Sequence, residues 1–295
     1  MKKIKENQFT LALAQIDTRL GDVHFNIEKH LEFIEEAKAK GANLIVFPEL
    51  SLTGYALQDL APTVAIQPTS EHPIFKQLLL ASIDIDIVVG FVETEERQRY
   101  YISGTYLSKG KFIHIHRKVY LPTYGLFDEG RFFAAGNRIQ AFNTQYGRFG
   151  ILICEDFWHA SPPYLLWLDG ADMLILISAS PGRGLGDDER LESATWVERI
   201  NQAYASLFTS HVVHTNRVGF EDGLHFWGGA TVHAPDGEML VRGPYHQEDL
   251  VIARIDQGKI RRTRTRLPLL RDERPEVTLR ELERILSHDH RSQNI

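Results

Sequence analysis

Residues 41–55 read Gly41-Ala-Asn-Leu-Ile-Val-Phe-Pro-Glu-Leu-Ser-Leu-Thr-Gly-Tyr55. Gly41 is suited to stop a preceding helix, because glycine enters the left-handed conformation at a helix end without a Cβ penalty. Residues 43–47 are then an apolar run broken by Pro48, the pattern of a buried strand. The arrangement recurs at Gly170-Ala-Asp-Met-Leu-Ile-Leu176. Two Gly-Ala stops, each ahead of an apolar strand, imply two similar β-α-β halves packed as one α/β domain rather than a repeat array.

Residues 9–17, 85–93, 149–153 and 173–177 read as further buried strands. Asn26 is placed to cap a helix carrying Ile27, Leu31 and Ile34 on one face. Residues 73–82 predict a second helix. Pro162-Pro163 opens a third that ends near Gly170. Residues 189–208 predict a fourth, with Leu191, Ala194, Val197, Ile200, Tyr204 and Leu207 at spacings of three and four. Lys109-Gly110 is a hairpin turn between strands 105–108 and 111–116. Strands at 212–215, 229–233 and 250–254 complete the set, with Pro235-Asp236-Gly237 as a turn.

Composition shifts only near the end. One domain is expected over 1–258, followed over 259–295 by a basic, partly helical tail that contains Lys259, Arg261, Arg262, Arg264, Arg266, Arg271 and Arg274. Thr278-Leu-Arg-Glu281 has the form of a capping box ahead of an amphipathic helix with Leu279, Leu282 and Ile285. The tail is expected to pack on the domain or at a subunit interface.

A chain of 295 residues with 43% hydrophobic and 24% charged residues can bury a core without staples. Its one cysteine excludes an intrachain disulfide framework. With 33 basic against 39 acidic residues and a net charge of −6, a nucleic-acid partner is not expected. No apolar run approaches the ~18 residues of a spanning helix, and the run at 11–16 is too short for a signal-peptide core. The expectation is a cytoplasmic protein with no membrane partner and a reduced thiol.

Three polar residues follow strands. Glu49 follows the 43–47 run and Pro48, Lys118 the strand ending at His116, and Cys154 the run Gly150-Ile-Leu-Ile153. Singly, each has an ordinary reading: a solvated glutamate, a surface lysine, an inert core thiol. Together they form a sufficient set for acyl transfer. A thiol needs an adjacent base to become a thiolate, a carboxylate can take that proton, and an ammonium can stabilise the thiolate and the oxyanion formed at an attacked carbonyl.

The segments around them resemble the three motifs of the nitrilase (carbon–nitrogen hydrolase) superfamily. They are Phe47-Pro-Glu-Leu-Ser-Leu-Thr-Gly-Tyr55, Arg117-Lys-Val-Tyr-Leu-Pro122 and Ile153-Cys-Glu-Asp-Phe-Trp158, with Lys118 69 residues after Glu49 and Cys154 36 after Lys118. The resemblance continues through Phe127-Asp-Glu129-Gly-Arg-Phe-Phe133-Ala-Ala-Gly136, Asn216-Arg-Val-Gly219 and the Leu267-Pro268 to Pro275 tail. It implies a four-layer α-β-β-α sandwich, association as a homodimer or higher oligomer, and no metal or organic cofactor. It also implies Glu49 as general base, Lys118 as oxyanion stabiliser, Cys154 as nucleophile, and Glu129 as a second glutamate holding the lysine and the substrate. The substrate would be a small linear amide.

Within the superfamily the segments resemble the glutaminase domain of glutamine-dependent NAD synthetases, through Gln58-Asp-Leu60, Leu121 to Glu129, Cys154 to Trp158 and Ser178-Ala-Ser-Pro181. In that branch, residues matching Tyr124, Glu155 and the Ser-x-Ser-Pro segment hold glutamine. The branch also carries an ATP-using domain with an SGGxDS-type loop, which these residues lack, so a free-standing hydrolase is expected. Asn216 to Asp222 looks more like free-standing amidases. Tyr55, Tyr124, Phe127 and Trp158, with Glu155, Asp156 and Ser180, are the candidate substrate contacts, and Glu155 suits an ammonium group. Two alternatives are a glutaminase subunit supplying ammonia to a separate synthetase and a non-catalytic scaffold.

Other patterns weigh less. His114-x-His116 and His211-x-x-His214 lack the third ligand a zinc site needs. Ser161 and Ser180 have no G-x-S-x-G elbow. The glycines of 180–186 lack a phosphate-loop register.

Overall fold

A computed structural model describes residues 8–182 and 191–292. The Gly-Ala stops at Gly41 and Gly170 mark the centres of two six-stranded sheets. In the first, β1 (Gln8–Gln15), β2 (Leu44–Val46) and β3 (Asp86–Thr94) run parallel. β4 (Tyr100–Ser108) and β5 (Lys111–Arg117) extend it antiparallel on one side. The second sheet repeats the plan. β6 (Phe142–Thr144) pairs antiparallel with β7 (Gly147–Ile153), and β7, β8 (Met173–Ser178) and β9 (His211–Asn216) are parallel. A hairpin of β10 (Val218–Glu221) and β11 (Leu224–Trp227) stands apart. β12 (Thr231–His233) and β13 (Met239–Arg242) complete the second sheet, and β14 (Asp249–Asp256) returns to pair with β1.

Alternation along the strands builds the layers. Leu11 and Leu13 of β1 meet Ile151 and Ile153 of β7 and Ile175 and Ile177 of β8 in a core between the sheets. Their neighbours point the other way. Ala12, Ala14 and Phe47 pack on α1 (Val23–Ala39) and, beyond the short α2 (Ala61–Val64), on α3 (Pro73–Ala81). After the one-turn α4 (Glu129–Phe132), Leu152, Leu174 and Leu176 pack on α5 (Ser161–Leu168) and α6 (Glu192–Leu207). The result is a four-layer α-β-β-α sandwich.

Two local expectations are corrected. The cap of α1 is Asp22, which accepts from the Phe25 N–H at 3.0 Å. Asn26 lies inside the helix, buried, with its amide engaged by Arg19 and by Leu52 O. Beyond α7 (Gly258–Arg266) and α8 (Leu269–Asp272), α9 spans Pro275–Ser292. It starts at a proline, three residues before Thr278, so Thr278 to Glu281 is interior to the helix and not a cap. Thr278 Oγ1 instead lies 3.3 Å from the Tyr164 hydroxyl. Lys259 and Arg264 of the basic segment pair with Asp236 and Asp172 at 3.1 and 2.8 Å. At 180–186, residues 183–186 lie outside those described, as do 189–190 of the helix expected over 189–208. No helix among the described residues is long and apolar enough to cross a membrane.

Candidate active site

Each of the three motif residues stands just beyond a strand. Glu49 follows β2 in a tight turn whose Leu50 has φ +49°. That turn lies directly on β3. A Cβ at Gly90 would sit 2.5 Å from Pro48 O and 2.6 Å from Leu50 N, so only glycine fits there. Lys118 follows β5, its backbone held by Ile102 O and Gly136 N at 2.8 and 2.7 Å. Cys154 opens a 3₁₀ turn, Cys154–Trp158, at the end of β7, with φ +45°. A non-glycine residue in the left-handed region is uncommon and costs conformational energy.

The side chains converge in a buried cluster. Lys118 Nζ donates to Glu49 Oε1 at 2.7 Å and to Glu129 Oε1 at 2.8 Å. The other Glu49 oxygen accepts from the Ala179 N–H at 2.8 Å, which ties the end of β8 to the site. Tyr55 donates to Glu129 Oε1 at 2.8 Å. Burial alone would pull the Lys118 pKa down, but the carboxylates of Glu129 and Glu49 hold it well above its ordinary value. Burial pushes Glu129 up to about 7 against the opposing pull of Lys118. Burial, and then the charge of Glu49, push the Cys154 thiol up, with Lys118 opposing. Cys154 therefore rests as a thiol among carboxylates and needs a base when it reacts.

Cys154 opens onto a cavity of about 460 Å³, lined also by Tyr124, Glu155, Trp158, Ser180 and, from α6, Trp196. Tyr124 donates to Glu155 at 3.1 Å. Of the residues expected to touch substrate, Tyr124, Phe127, Glu155, Trp158 and Ser180 share this cavity with the thiol. Tyr55 does not line it and instead supports Glu129 from an adjoining cleft. Asp156 does not line it either. It is fully buried and both its oxygens are occupied, so it cannot serve as a substrate contact.

The carbon–nitrogen hydrolase model matches residues 10–265. The chain belongs to the carbon–nitrogen hydrolase family. A glutamine-dependent NAD(+) synthetase of Acinetobacter baylyi is 31% identical over 250 residues, 84% of this chain and 44% of that protein. A probable nitrilase of Schizosaccharomyces pombe is 28% identical over 254 residues, 83% of this chain and 88% of its own. The solved glutamine-dependent NAD+ synthetase of Acinetobacter baumannii superposes with a TM-score of 0.75 at 30% identity, covering 86% of this chain and 46% of that one. The chain thus spans less than half the length of these synthetases. As a carbon–nitrogen hydrolase it belongs to enzymes that cleave C–N bonds.

Polar residues outside the three motifs brace Tyr55 and Ser180. Glu221 Oε1 accepts from the Tyr55 and Ala56 N–H groups, both at 2.7 Å, and its other oxygen holds the buried Arg217 at 2.6 Å. Asn216 Oδ1 accepts from the Ser180 N–H at 2.8 Å. The Arg217–Glu221 spacing of four was the available signal for that pair. Of the histidines considered as ligands, His114 stacks on Phe142, His116 bonds Asp156 and His214 bonds Ser178 Oγ. Among the described residues no group of three metal-ligating side chains is assembled.

Proposed function

We propose that the chain hydrolyses a small linear amide through a thioester on Cys154, releasing ammonia or an amine. The observation that carries this reading is Lys118 Nζ set between the carboxylates of Glu49 and Glu129, at 2.7 and 2.8 Å, beside the cavity onto which Cys154 opens.

Glu49 takes the thiol proton as Sγ bonds to the amide carbon. Negative charge collects on the carbonyl oxygen, where the Lys118 ammonium and the Glu155 backbone N–H stabilise it. The C–N bond breaks as Glu49 returns its proton to the departing nitrogen, leaving an acyl thioester. Glu49 then takes a proton from water as its oxygen attacks the thioester carbon. The thiol leaves reprotonated and the acid is released. Glu129 and Tyr55 keep Lys118 aimed at the oxyanion. The scheme draws on side chains, one backbone N–H and water, and calls for no cofactor. The Glu155–Tyr124 pair facing the cavity suits a substrate with an ammonium group.

The test is ammonia release from glutamine, asparagine, ω-amides of dicarboxylates, N-carbamoyl amino acids and aliphatic amides, with wild type and Cys154→Ala. Turnover of one class by wild type alone supports the reading, and turnover that survives in Cys154→Ala contradicts it. A second reading is favoured by the 31% identity to a synthetase named as glutamine-dependent. In it the chain is a glutaminase supplying ammonia to a separate synthetase, and ammonia release from glutamine rises only when that partner is added. Either enzyme is expected to act as a homo-oligomer.

A further inference from the structure

Asp156 sits two residues beyond Cys154 and is fully buried, yet it touches no other side chain of the proposed machinery. Four donors converge on it. Oδ1 accepts from the N–H groups of Val119 and Tyr120, at 2.9 and 3.0 Å. Oδ2 accepts from the Ile153 N–H at 3.0 Å and from His116 Nε2 at 2.8 Å. The first pair immediately follows Lys118, and Ile153 immediately precedes Cys154. One carboxylate therefore joins the backbone that carries the ammonium to the backbone that carries the thiol.

His116 completes this arrangement. It is buried near the end of β5, and Lys118, two residues on and just past the strand, is buried as well, while Arg117 between them pairs with Glu93. An ionised carboxylate only accepts, so Nε2 carries the hydrogen. The imidazole is 2% exposed and Asp156 0%, so without that donor Oδ2 would keep a single partner in a site that water does not reach. A buried acceptor left short of donors shifts or draws in solvent.

We propose that His116 and Asp156 are positioning residues that set the Lys118 ammonium relative to the Cys154 elbow. The proposal rests on the amidase reading for its kinetic consequence and on geometry alone for its effect on the thiol. Misplacing either group by about 1 Å costs about a hundredfold in a positioned reaction. The loss should fall on kcat, because neither residue lines the cavity.

The experiment compares His116→Phe, which keeps a ring and removes the donor, with His116→Gln, which restores an N–H of similar reach, and His116→Asn, whose shorter amide does not reach Oδ2. Melting temperature, kcat, KM and the rate of Cys154 alkylation by iodoacetamide are measured on each. The expected result is a kcat at least tenfold down in Phe and Asn, with KM within about twofold, a changed alkylation rate, and recovery of most of both in Gln. If Phe does not fold, the Asn and Gln pair decides. Unchanged kcat and alkylation in a folded Phe variant, or Asn and Gln behaving alike, overturns the proposal. So does a loss confined to KM. A wild type without amide turnover sinks the amidase reading instead, and the alkylation rates still test the positioning.

Discussion

Lys118 Nζ lies 2.7 Å from Glu49 Oε1, and neither side chain is exposed to solvent. An ammonium buried alone would lose its proton or unfold the site. Here Glu49 and Glu129 keep it charged, and the same proximity leaves a carboxylate beside the thiol that needs a base. Stability and chemistry therefore depend on the same three charged groups.

Removing the ammonium tests both at once. Lys118→Met leaves two buried carboxylates facing one another, and breaking a buried pair costs about 3–5 kcal/mol. Urea unfolding at pH 8 should show that loss. Turnover should vanish, and a merely twofold fall would remove Lys118 from the mechanism.

Glu129 makes a pH-dependent contribution whose sign follows from its raised pKa. Its folded value of about 7 exceeds the 4.5 of the free side chain. The folded state then holds the extra proton, so the stabilisation is complete below about 4.5 and is lost as pH rises through 7. Over that window it amounts to at most about 3 kcal/mol. Glu129→Gln should remove this dependence, so that wild type minus variant stability falls between pH 4.5 and 7.5. A flat difference would show that Glu129 is ionised throughout.

Gly90 carries no functional group, yet its substitution should damage the site. In Gly90→Ala the new Cβ would meet Pro48 O at 2.5 Å and Leu50 N at 2.6 Å, on either side of Glu49. The Glu49 turn must move away from Lys118. Overpacking of this kind costs about 1–3 kcal/mol, and kcat should drop by about a hundredfold for a misplaced base. A variant with wild-type kcat would show that the turn tolerates displacement.

Much of this was legible from local pattern. Strands β2, β7 and β8 are short apolar runs with clear stops, so the residues just past them could be located at a sheet end. Glu49 and Cys154 were found that way, and Lys118 just past the end of β5, whereas the cavity ring of Tyr124, Phe127, Glu155, Trp158 and Ser180 was pointed to by the family resemblance. Asp156 was misread because a polar residue next to a nucleophile looks the same in sequence whether it faces a cavity or accepts backbone N–H groups 36 and 37 residues away. The hydroxyl of Tyr55, expected at the substrate, bonds Glu129. The cap of α1 was misplaced at Asn26, because asparagine is a good cap residue in any sequence, whereas in the fold Asp22 accepts from the Phe25 N–H and Asn26 is buried against Leu52. The anchoring of Tyr55 by Glu221 joins residues 166 apart and leaves no local trace.

The central claim is a covalent acyl enzyme on Cys154. Intact-protein mass spectrometry of acid-quenched samples, taken during turnover of the best amide from the panel, tests it most directly. The account predicts one added acyl mass on wild type, mapped to Cys154, that is absent from Cys154→Ala together with all ammonia release. Ammonia release by Cys154→Ala at the wild-type rate, with no adduct on wild type, would contradict it.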